Sequence, residues 1–317
     1  PPLPLPLSLP LSLPLSLSLP LPLPPPLPPS PEPGVAVTAA ADDPGGVGAW
    51  YAEGHLLYST REGGLFAAPF DLEKLEVIGP AVPVLEGLLP PELTFSREGT
   101  AIYMVGEPGS GIEAELVWVD RAGRVEPVQE GWTFRTGDDN WGMALSPDGS
   151  RIALRMAAER TLAYDIWIKT LPDGPLSLLT SGGQERMPRW SPDGRFVTFL
   201  VSGPGRSLDL VQKPSDGTTD EHELLVAYER SLAQGFYGPG GEWIILRPFE
   251  GPTGRDILGF RPGQDSVPVP LVVTENEEQA PAVSPDGRWL AYLSDETGRN
   301  EVYVRPFPDT EKGKQQI

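Results

Sequence analysis

Short apolar runs alternate with turn sequences through most of the chain. The sequence "LSPDGSRIAL" at 145–154 returns in nearly the same form as "WSPDGRFVTF" at 190–199 and "VSPDGRWLAY" at 283–292. In each copy, proline fixes φ at the second turn position, and aspartate is compatible with the backbone conformation of the third. Glycine accepts a positive φ at the fourth position. Each copy therefore predicts a tight β-hairpin. The residues with this structural role are Pro147, Asp148, Gly149, Pro192, Asp193, Gly194, Pro285, Asp286 and Gly287.

The apolar runs that follow these turns do not alternate with polar residues. They occupy 152–154, 197–200, 243–246 and 289–293. Such short continuous runs are typical of strands that are covered on both faces. A second apolar segment follows each run, as in "DIWI" at 165–168, and leads into another turn and another strand. Each repeated unit of turns and apolar runs is therefore predicted to contain four short strands.

The unit repeats along the chain with a nearly constant period. Six copies are marked by Tyr51, Ser96, Ser146, Ser191, Gly238 and Ser284, which lie 45 to 50 residues apart. This period matches a four-stranded propeller blade and exceeds that of ankyrin or tetratricopeptide units. The sequence predicts an all-β protein, a β-propeller of four-stranded antiparallel blades with six repeats visible, and an intact parent protein could have seven or eight. The short first hairpin predicts an irregular first blade, and "KQQI" at 314–317 predicts a ragged or unpaired last strand. A closed ring and an open arc are both compatible with the repeats.

The first 34 residues have a different composition from the repeats. Proline and leucine dominate residues 1–34, and proline at almost every second position is incompatible with a membrane helix. The segment also lacks the basic start and cleavage site of a signal peptide. We interpret it as a linker or disordered tail, with a recognition segment for a proline-binding module or a mistranslated end as alternatives. The propeller domain is predicted to span 35–317, without direct membrane insertion.

Charge and composition narrow the classes of partner and chemistry. The formal net charge of −20 disfavours nucleic acid and anionic membrane surfaces. There is no cysteine, and the two histidines, His55 and His222, are far apart in the sequence, so we expect no metal site and no cofactor. Acidic stretches at 137–140 and 275–278 could bind a hard cation, but we favour solvated loops. No nucleophile elbow or zinc-protease motif is present, and we predict that the chain is not an enzyme.

The repeat also resembles a known family. The sequence "APAVSPDGRWLAYLSDETGRNEVYVRPF" at 280–307 resembles the TolB-like, WD-repeat-like β-propeller blade. The segments 54–87 and 116–124 are similar to the opening blades of propeller regions in bacterial membrane-anchored serine/threonine protein kinases. The resemblance implies a propeller with no shared catalytic set, an extracytoplasmic location in the periplasm or cell envelope, and fusion to a kinase or other domain. Because the sixth repeat stops abruptly, we expect a fragment that is truncated at its C-terminus.

The loops that enter the innermost strand of each blade should converge on one rim of the central channel. They lie at 130–141, 181–188, 230–236 and 275–281 and mix aromatic, basic and acidic residues, as interfaces do. Trp141 and Phe236 suit either the rim or the core, whereas Glu185, Arg186, Glu277 and Glu278 are predicted to be exposed. The candidate binding residues are Trp132 as an aromatic anchor, Arg135, Asp138, Asp139, Glu185, Arg186, Arg230, Glu277 and Glu278.

Three functions are compatible with these patterns. The first is a recognition, sensor or scaffold propeller that binds a protein, a peptide or a small ligand, and the mixed rim charges favour a protein or peptide. The second is the gating propeller of a prolyl-oligopeptidase-type serine peptidase, which requires a separate hydrolase domain. The third is a propeller enzyme that acts on sugars or lactones. Since the fold alone does not assign function, the first is favoured by the lack of catalytic motifs.

Overall fold

The computed structural model describes residues 37–39, 49–52, 54–59, 64–74, 76–85, 88–95, 101–105, 112–119, 125–136, 142–157, 164–202, 207–226, 228–251 and 253–317. The predicted tail at 1–34 lies outside these residues, as do Asp138, Asp139 and Trp141.

Strands account for nearly all regular structure in the described ranges, and they form six sheets. Blade 1 contains β1 Val37–Ala39, β2 Ala49–Ala52, β3 His55–Ser59, β4 Leu65–Asp71, β5 Glu76–Val77 and β6 Val82–Leu85. Blade 2 contains β7 Leu88–Phe95, β8 Ala101–Val105, β9 Ile112–Val119, β10 Val125–Pro127 and β11 Phe134–Thr136. Blade 3 contains β12 Met143–Leu145, β13 Arg151–Ala157, β14 Tyr164–Thr170 and β15 Leu176–Leu178.

The remaining three blades repeat the four-stranded order of blade 3. Blade 4 contains β16 Arg186–Trp190, β17 Phe196–Ser202, β18 Leu208–Pro214 and β19 Glu223–Val226. Blade 5 contains β20 Leu232–Tyr237, β21 Ile244–Pro248, β22 Ile257–Phe260 and β23 Val269–Val272. Blade 6 contains β24 Glu278–Val283, β25 Trp289–Ser294, β26 Glu301–Pro306 and β27 Gln315–Gln316. The prediction of an all-β propeller with antiparallel four-stranded blades is confirmed.

The middle strands of each blade show why the apolar runs are continuous. In β13 and β14, seven residue pairs are in antiparallel register, from Arg151 opposite Thr170 to Ala157 opposite Tyr164. Five consecutive residues of β13, from Ile152 to Met156, are buried. Both faces of the sheet are covered because another blade packs on each side. A side chain on either face therefore contributes to the core.

The hydrophobic core is divided among the interfaces between neighbouring blades, which we call seams. At seam 3–4, Ile166 and Leu179 of blade 3 pack with Trp190 and Phe199 of blade 4. Equivalent clusters lie at the seams between blades 1 and 2, 2 and 3, 4 and 5, and 5 and 6. Phe236 packs at seam 5–6, so the core interpretation of this residue holds. Each blade is stabilised mainly by apolar area that it buries against its neighbours.

A further seam closes the ring. Phe70 of blade 1 clusters with Val304 of blade 6, and Leu56, Trp289 and Ile317 pack around them. The ring is therefore closed. The last strand, β27, pairs with β26 over two residues, so of the two predicted alternatives, ragged or unpaired, the second is wrong.

The first blade has the predicted irregularity. Strand β4 pairs with both β5 and β6, and the additional strand β1 extends the sheet beside β2. The described residues contain one short 3-10 helix, Thr310–Lys312. No helix in the described ranges has the length and apolar character needed to cross a membrane.

Candidate binding face

Antiparallel topology sorts the connections onto two faces of the ring. The Ser-Pro-Asp-Gly turns join the first and second strands of blades 3, 4 and 6. We call their side the turn face. The loops from the last strand of one blade to the first strand of the next lie on the opposite side. Those described are 179–185, 228–231 and 273–277, and we call their side the loop face.

The turn face is built from the same contacts in three blades. The Ser146 hydroxyl donates to Oδ1 of Asp148 at 2.6 Å and accepts the Arg151 N–H at 2.9 Å. Ser191 with Asp193, and Ser284 with Asp286, repeat the first of these bonds at the same distance. Gly149, like its equivalents Gly194 and Gly287, has a φ close to +70°. The Ser146 hydroxyl and a backbone N–H lower the pKa of Asp148 to about 2. These contacts explain why the turn motif recurs, because each of its residues stabilises the backbone of the turn.

On the loop face, the first strands begin with a bulge that is under strain. Four residues before the turn serine, Met187 has φ +56° in blade 4 and Ala280 has φ +49° in blade 6. The same position in blade 3 is Gly142, with φ +140°. The pairing register shifts between Arg186 and Arg189 in blade 4 and between Gln279 and Ala282 in blade 6. Non-glycine residues with positive φ are unfavourable, and such strain is concentrated at functional sites.

Two glutamates occupy equivalent positions just before these bulges, and both are buried. Glu185 is 6% exposed and Glu278 is fully buried, so the prediction that both are exposed is wrong. Each lies six residues before its turn serine and near an aspartate at the start of the third strand of the preceding blade. These aspartates are Asp165 and Asp256, at 6% and 0% exposure. Seams 3–4 and 5–6 thus each contain a buried pair of carboxyl groups.

At seam 3–4 the pair is enclosed by donors. Glu185 accepts backbone N–H groups from Gly182 at 3.1 Å and from Gln184 at 3.0 Å. Asp165 accepts the Gly183 N–H at 2.9 Å. Arg155 is buried beside them and donates through Nε to the Glu185 carbonyl at 2.9 Å. Burial raises the pKa of Asp165, while the Gly183 N–H and the charge of Arg155 oppose that rise. The backbone donor and the buried cation therefore limit the rise in the pKa of Asp165.

At seam 5–6 the donors are different. Glu278 accepts the Thr274 hydroxyl through Oε1 at 2.6 Å, and the Ser294 hydroxyl lies 3.5 Å from the same atom. Asp256 accepts the Thr253 hydroxyl at 2.7 Å. Oε2 of Glu278 and Oδ2 of Asp256 are buried and accept no hydrogen bond. Burial, reinforced by the charge of Asp256, raises the pKa of Glu278 to about 7.

The other predicted rim residues differ in exposure. Arg135 is exposed on β11, at the outer part of blade 2, and Arg230 is exposed and donates to the Gly251 carbonyl at 3.2 Å. Arg186 is partly buried, and its Nε has no hydrogen-bond partner. Glu277 pairs with Arg255 at 3.2 Å. The structure therefore brings Arg186, Arg230 and Glu277 to the loop face.

Trp132 occupies a different environment from these charged residues. Its ring stacks on Phe134 at 5.2 Å between centroids, and Nζ of Lys169 lies 5.2 Å from the ring centroid. It also packs against the core cluster at seam 2–3. This half-buried position gives Trp132 a packing role at a seam.

Sequence reasoning missed Asp165, Asp256 and Arg155. A signal was present, because an aspartate directly precedes the apolar residues of the third strand in "DIWI" and again in "DIL". Within the described ranges, no group of three or more His, Cys, Asp or Glu side chains is arranged to hold a metal ion. The sequence "HELLV" at 222–226 begins like a zinc-protease motif but lacks its second histidine, and it lies largely on strand β19.

Comparison with solved structures agrees with this architecture. TolB from Acinetobacter baumannii matches with a TM-score of 0.61 at 16% identity, over 86% of this chain and 61% of that one. A nidogen from a nidogen/laminin complex matches with a TM-score of 0.59 at 11% identity, over 90% of this chain and 92% of that one. A puromycin-hydrolysing peptidase of Mycobacterium tuberculosis matches with a TM-score of 0.55 at 15% identity, over 84% of this chain and 43% of that one.

These likenesses define a fold. The chain is similar in fold to TolB β-propellers, as the repeat sequence predicted, and it spans less than two thirds of the length of the Acinetobacter TolB. No protein-family model matches the chain, and no curated protein matches it by sequence.

Proposed function

We propose that the chain is a non-catalytic recognition propeller that binds a protein or peptide through its loop face. The main support is the contrast between the two faces. The turn face repeats one hydrogen-bonded motif in three blades, so it offers little to distinguish one partner from another. The loop face differs from blade to blade and carries charges of both signs, namely the exposed Arg230 and the partly buried Arg255–Glu277 pair. Mixed charge of this kind favours selective protein recognition.

The proposal includes an extracytoplasmic location and a role as a sensor or scaffold within a larger bacterial protein. Its support is the resemblance of the blade sequence to TolB-like propellers and to the propeller regions of membrane-anchored kinases. The nidogen match shows that a propeller of similar fold occurs in a structure of a complex between two proteins.

A matched pair of charge reversals tests the proposed face. Arg230→Glu alters an exposed arginine on the loop face, and Arg195→Glu alters an exposed arginine on the turn face. The net charge changes equally in both variants. We expect the first variant to capture its partner from a bacterial envelope extract about tenfold less than wild type does, as quantified by mass spectrometry. The turn-face variant should capture the partner normally.

Equal capture by both variants, or loss in the turn-face variant alone, would contradict the proposal. The captured protein is then purified and titrated against the three proteins by calorimetry. Direct binding with the same order of affinities separates a true partner from a protein that is captured indirectly.

A second candidate is the gating propeller of a serine peptidase. The specific observation in its favour is the match to the puromycin-hydrolysing peptidase. The match covers 43% of that protein, so more than half of its length lies outside the matched region. A fluorophosphonate probe applied to the protein isolated from its native source would distinguish the two functions. Covalent labelling of a chain that contains this propeller supports the peptidase, and no labelling supports a recognition domain.

A further inference from the structure

The outer edge of blade 1 carries an apolar surface that belongs neither to a seam nor to the loop face. Residues 77–84 contain no charged side chain, and all of them except Gly79 are exposed. The larger side chains are Val77, Ile78, Val82 and Val84, which are 37 to 62% exposed. We call residues 77–84 the apolar edge. A contiguous exposed apolar surface typically marks an interaction site.

The outer strands of the other blades have a different composition. Strand β10 contains Glu126, β19 begins with Glu223, and β27 consists of two glutamines. Strand β15 contains Ser177, and the last two residues of β23 are buried. Charged and polar side chains on an exposed edge strand oppose association with another segment. The apolar edge lacks such side chains, so contact with an apolar segment would be favourable there.

Proline determines how the apolar edge can be covered. Pro80 and Pro83 have no N–H, so this edge cannot donate a continuous hydrogen-bond ladder to an added strand. Pro83 lies opposite Phe66 of β4, whose ring stacks on Tyr58 of β3 at 5.5 Å between centroids. Both aromatic side chains are only partly buried. Aromatic rings beside an apolar surface suit a proline-rich segment, which packs through its side chains and needs few backbone hydrogen bonds.

The chain itself contains a segment of this composition. Residues 1–31, which lie outside the described ranges, consist only of proline, leucine and serine. Glu32 is the first charged residue, so the net charge of −20 belongs entirely to the rest of the chain. An uncharged segment can approach this acidic protein without electrostatic repulsion. Its leucines supply the apolar side chains that the edge would bury.

The segment is also tethered within reach of the apolar edge. It leads into β1, and the strands of blade 1 lie side by side in the order β1, β2, β3, β4, β5. Pairing places Val37 level with Ala68, near the end of β4, so β1 begins at the end of the blade where β5 follows β4. Four strand spacings amount to about 19 Å. A proline-rich chain advances about 3.1 Å per residue, so roughly six residues span this distance. Most of the segment remains to contact the edge.

We propose that the proline- and leucine-rich segment 1–31 binds to the apolar edge of blade 1 within the same chain. The tether gives the segment a high effective concentration at this surface, so weak apolar contacts suffice to hold it there. The site lies on the outer edge of the ring, and the proposal does not depend on the identity of a loop-face partner.

The first test measures whether the segment covers the edge. Because the chain has no cysteine, Ala81→Cys places a single exposed thiol on the apolar edge. The test compares its reaction with a neutral maleimide in the otherwise unchanged chain and in a chain with Leu21→Ser, Leu23→Ser and Leu27→Ser. We expect labelling to be about tenfold faster when the leucines are replaced, because the segment then leaves the edge.

The matched control is Glu311→Cys, an exposed position in the connection before the last strand of blade 6. Its labelling rate should be the same with and without the leucines. Equal rates for Ala81→Cys in the two chains would overturn the proposal. Protection that grows with protein concentration and persists without the leucines would also overturn it, because a second copy would then cover the edge.

The second test changes the edge and leaves the segment intact. Val82→Asp with Val84→Asp introduces two charges on the apolar edge, and we expect the radius of gyration of the full chain to increase in small-angle scattering as the segment detaches. Val125→Asp with Val267→Asp adds the same two charges at exposed valines of blades 2 and 5 and should leave it unchanged. An unchanged radius in both variants, or a dimer that dissociates in the first, contradicts the proposal.

Discussion

Seams 3–4 and 5–6 have a buried glutamate and a buried aspartate at the same repeat positions, yet the groups around these carboxyl groups differ. Glu185 is bound by two backbone N–H groups and lies beside the buried Arg155. Glu278 accepts the hydroxyl groups of Thr274 and Ser294, and the carboxyl group of Asp256 raises its pKa. Seam 4–5 provides a third case, since Leu232 takes the glutamate position opposite Asp209. The position of a residue in the repeat therefore determines where it lies in the blade, whereas the adjoining loop determines which donors surround its carboxyl group.

The loop sequence explains the difference. In blade 4, Gly182 lies against the Glu185 carboxylate, and a Cβ at this position would overlap Oε1. The equivalent residue in the blade 6 loop is Glu275, which has a Cβ. The chain there cannot wrap its N–H groups around Glu278 in the same way.

Arg155→Met is expected to have the largest effect on the comparison, because it removes the buried cation from seam 3–4. Asp165 and Glu185 would then keep their backbone donors but lose the neighbouring positive charge. We expect a loss of about 2 to 4 kcal/mol in the free energy of unfolding at pH 8, and a smaller loss at pH 5.5. Chemical denaturation at the two pH values measures both.

The control for that change is Leu200→Met, at the equivalent repeat position in blade 4. This substitution conserves volume and involves no charge, so it should destabilise the fold by less than about 1.5 kcal/mol, equally at both pH values. An Arg155→Met variant that is no less stable than this control would show that seam 3–4 does not need its cation.

Gly182→Ala tests the role of the loop glycine at seam 3–4. The added Cβ would displace the Glu185 carboxylate from its N–H donors, and we expect a loss of about 1 to 3 kcal/mol in the free energy of unfolding. Gly240→Ala is the matched control, because no atom lies within 4 Å of a Cβ there. It should change stability by no more than about 0.5 kcal/mol. Similar losses in the two variants, measured by urea denaturation, would argue against the role assigned to the loop.

Asp148→Asn is expected to have the smallest effect, and this effect depends on pH. The pKa of Asp148 is lowered to about 2, so its contribution to stability is present above its ordinary pKa and is lost as the pH falls through about 4 to 2. Because the group is exposed, we expect less than about 1 kcal/mol. A difference in stability between wild type and variant that grows toward pH 8 would contradict this assignment.

Much of the fold could be predicted from the turns and the period. The Pro-Asp-Gly spacing predicted the hairpins, and the continuous apolar runs predicted strands that are covered on both faces. The glutamates were the main error, since a charged residue in a polar loop normally lies in solvent. Their burial depends on a carboxyl partner from another blade, and such a contact is not local in sequence.

The backbone strain at the start of the first strands could not be predicted from the sequence either. Gly142 is compatible with a positive φ, but Met187 and Ala280 adopt the same kind of conformation at the same repeat position. Neither residue type favours it, so only the bulged pairing of β16 and β24 could reveal it. The pairing of β27 could not be predicted from the turn residues either, because a two-residue strand has no periodicity to detect.

The closing seam has a mechanical consequence. Each blade is built from one continuous stretch of chain, so backbone crosses every seam except the one between blades 6 and 1 in the described residues. There the ring is held by Phe70 against Val304 and by a hydrogen bond from Gln315 to the Lys74 carbonyl. Tension between the first and last blades acts on these noncovalent contacts alone, because no described stretch of backbone crosses this seam. Under load, the ring should open at that seam while the individual blades remain folded.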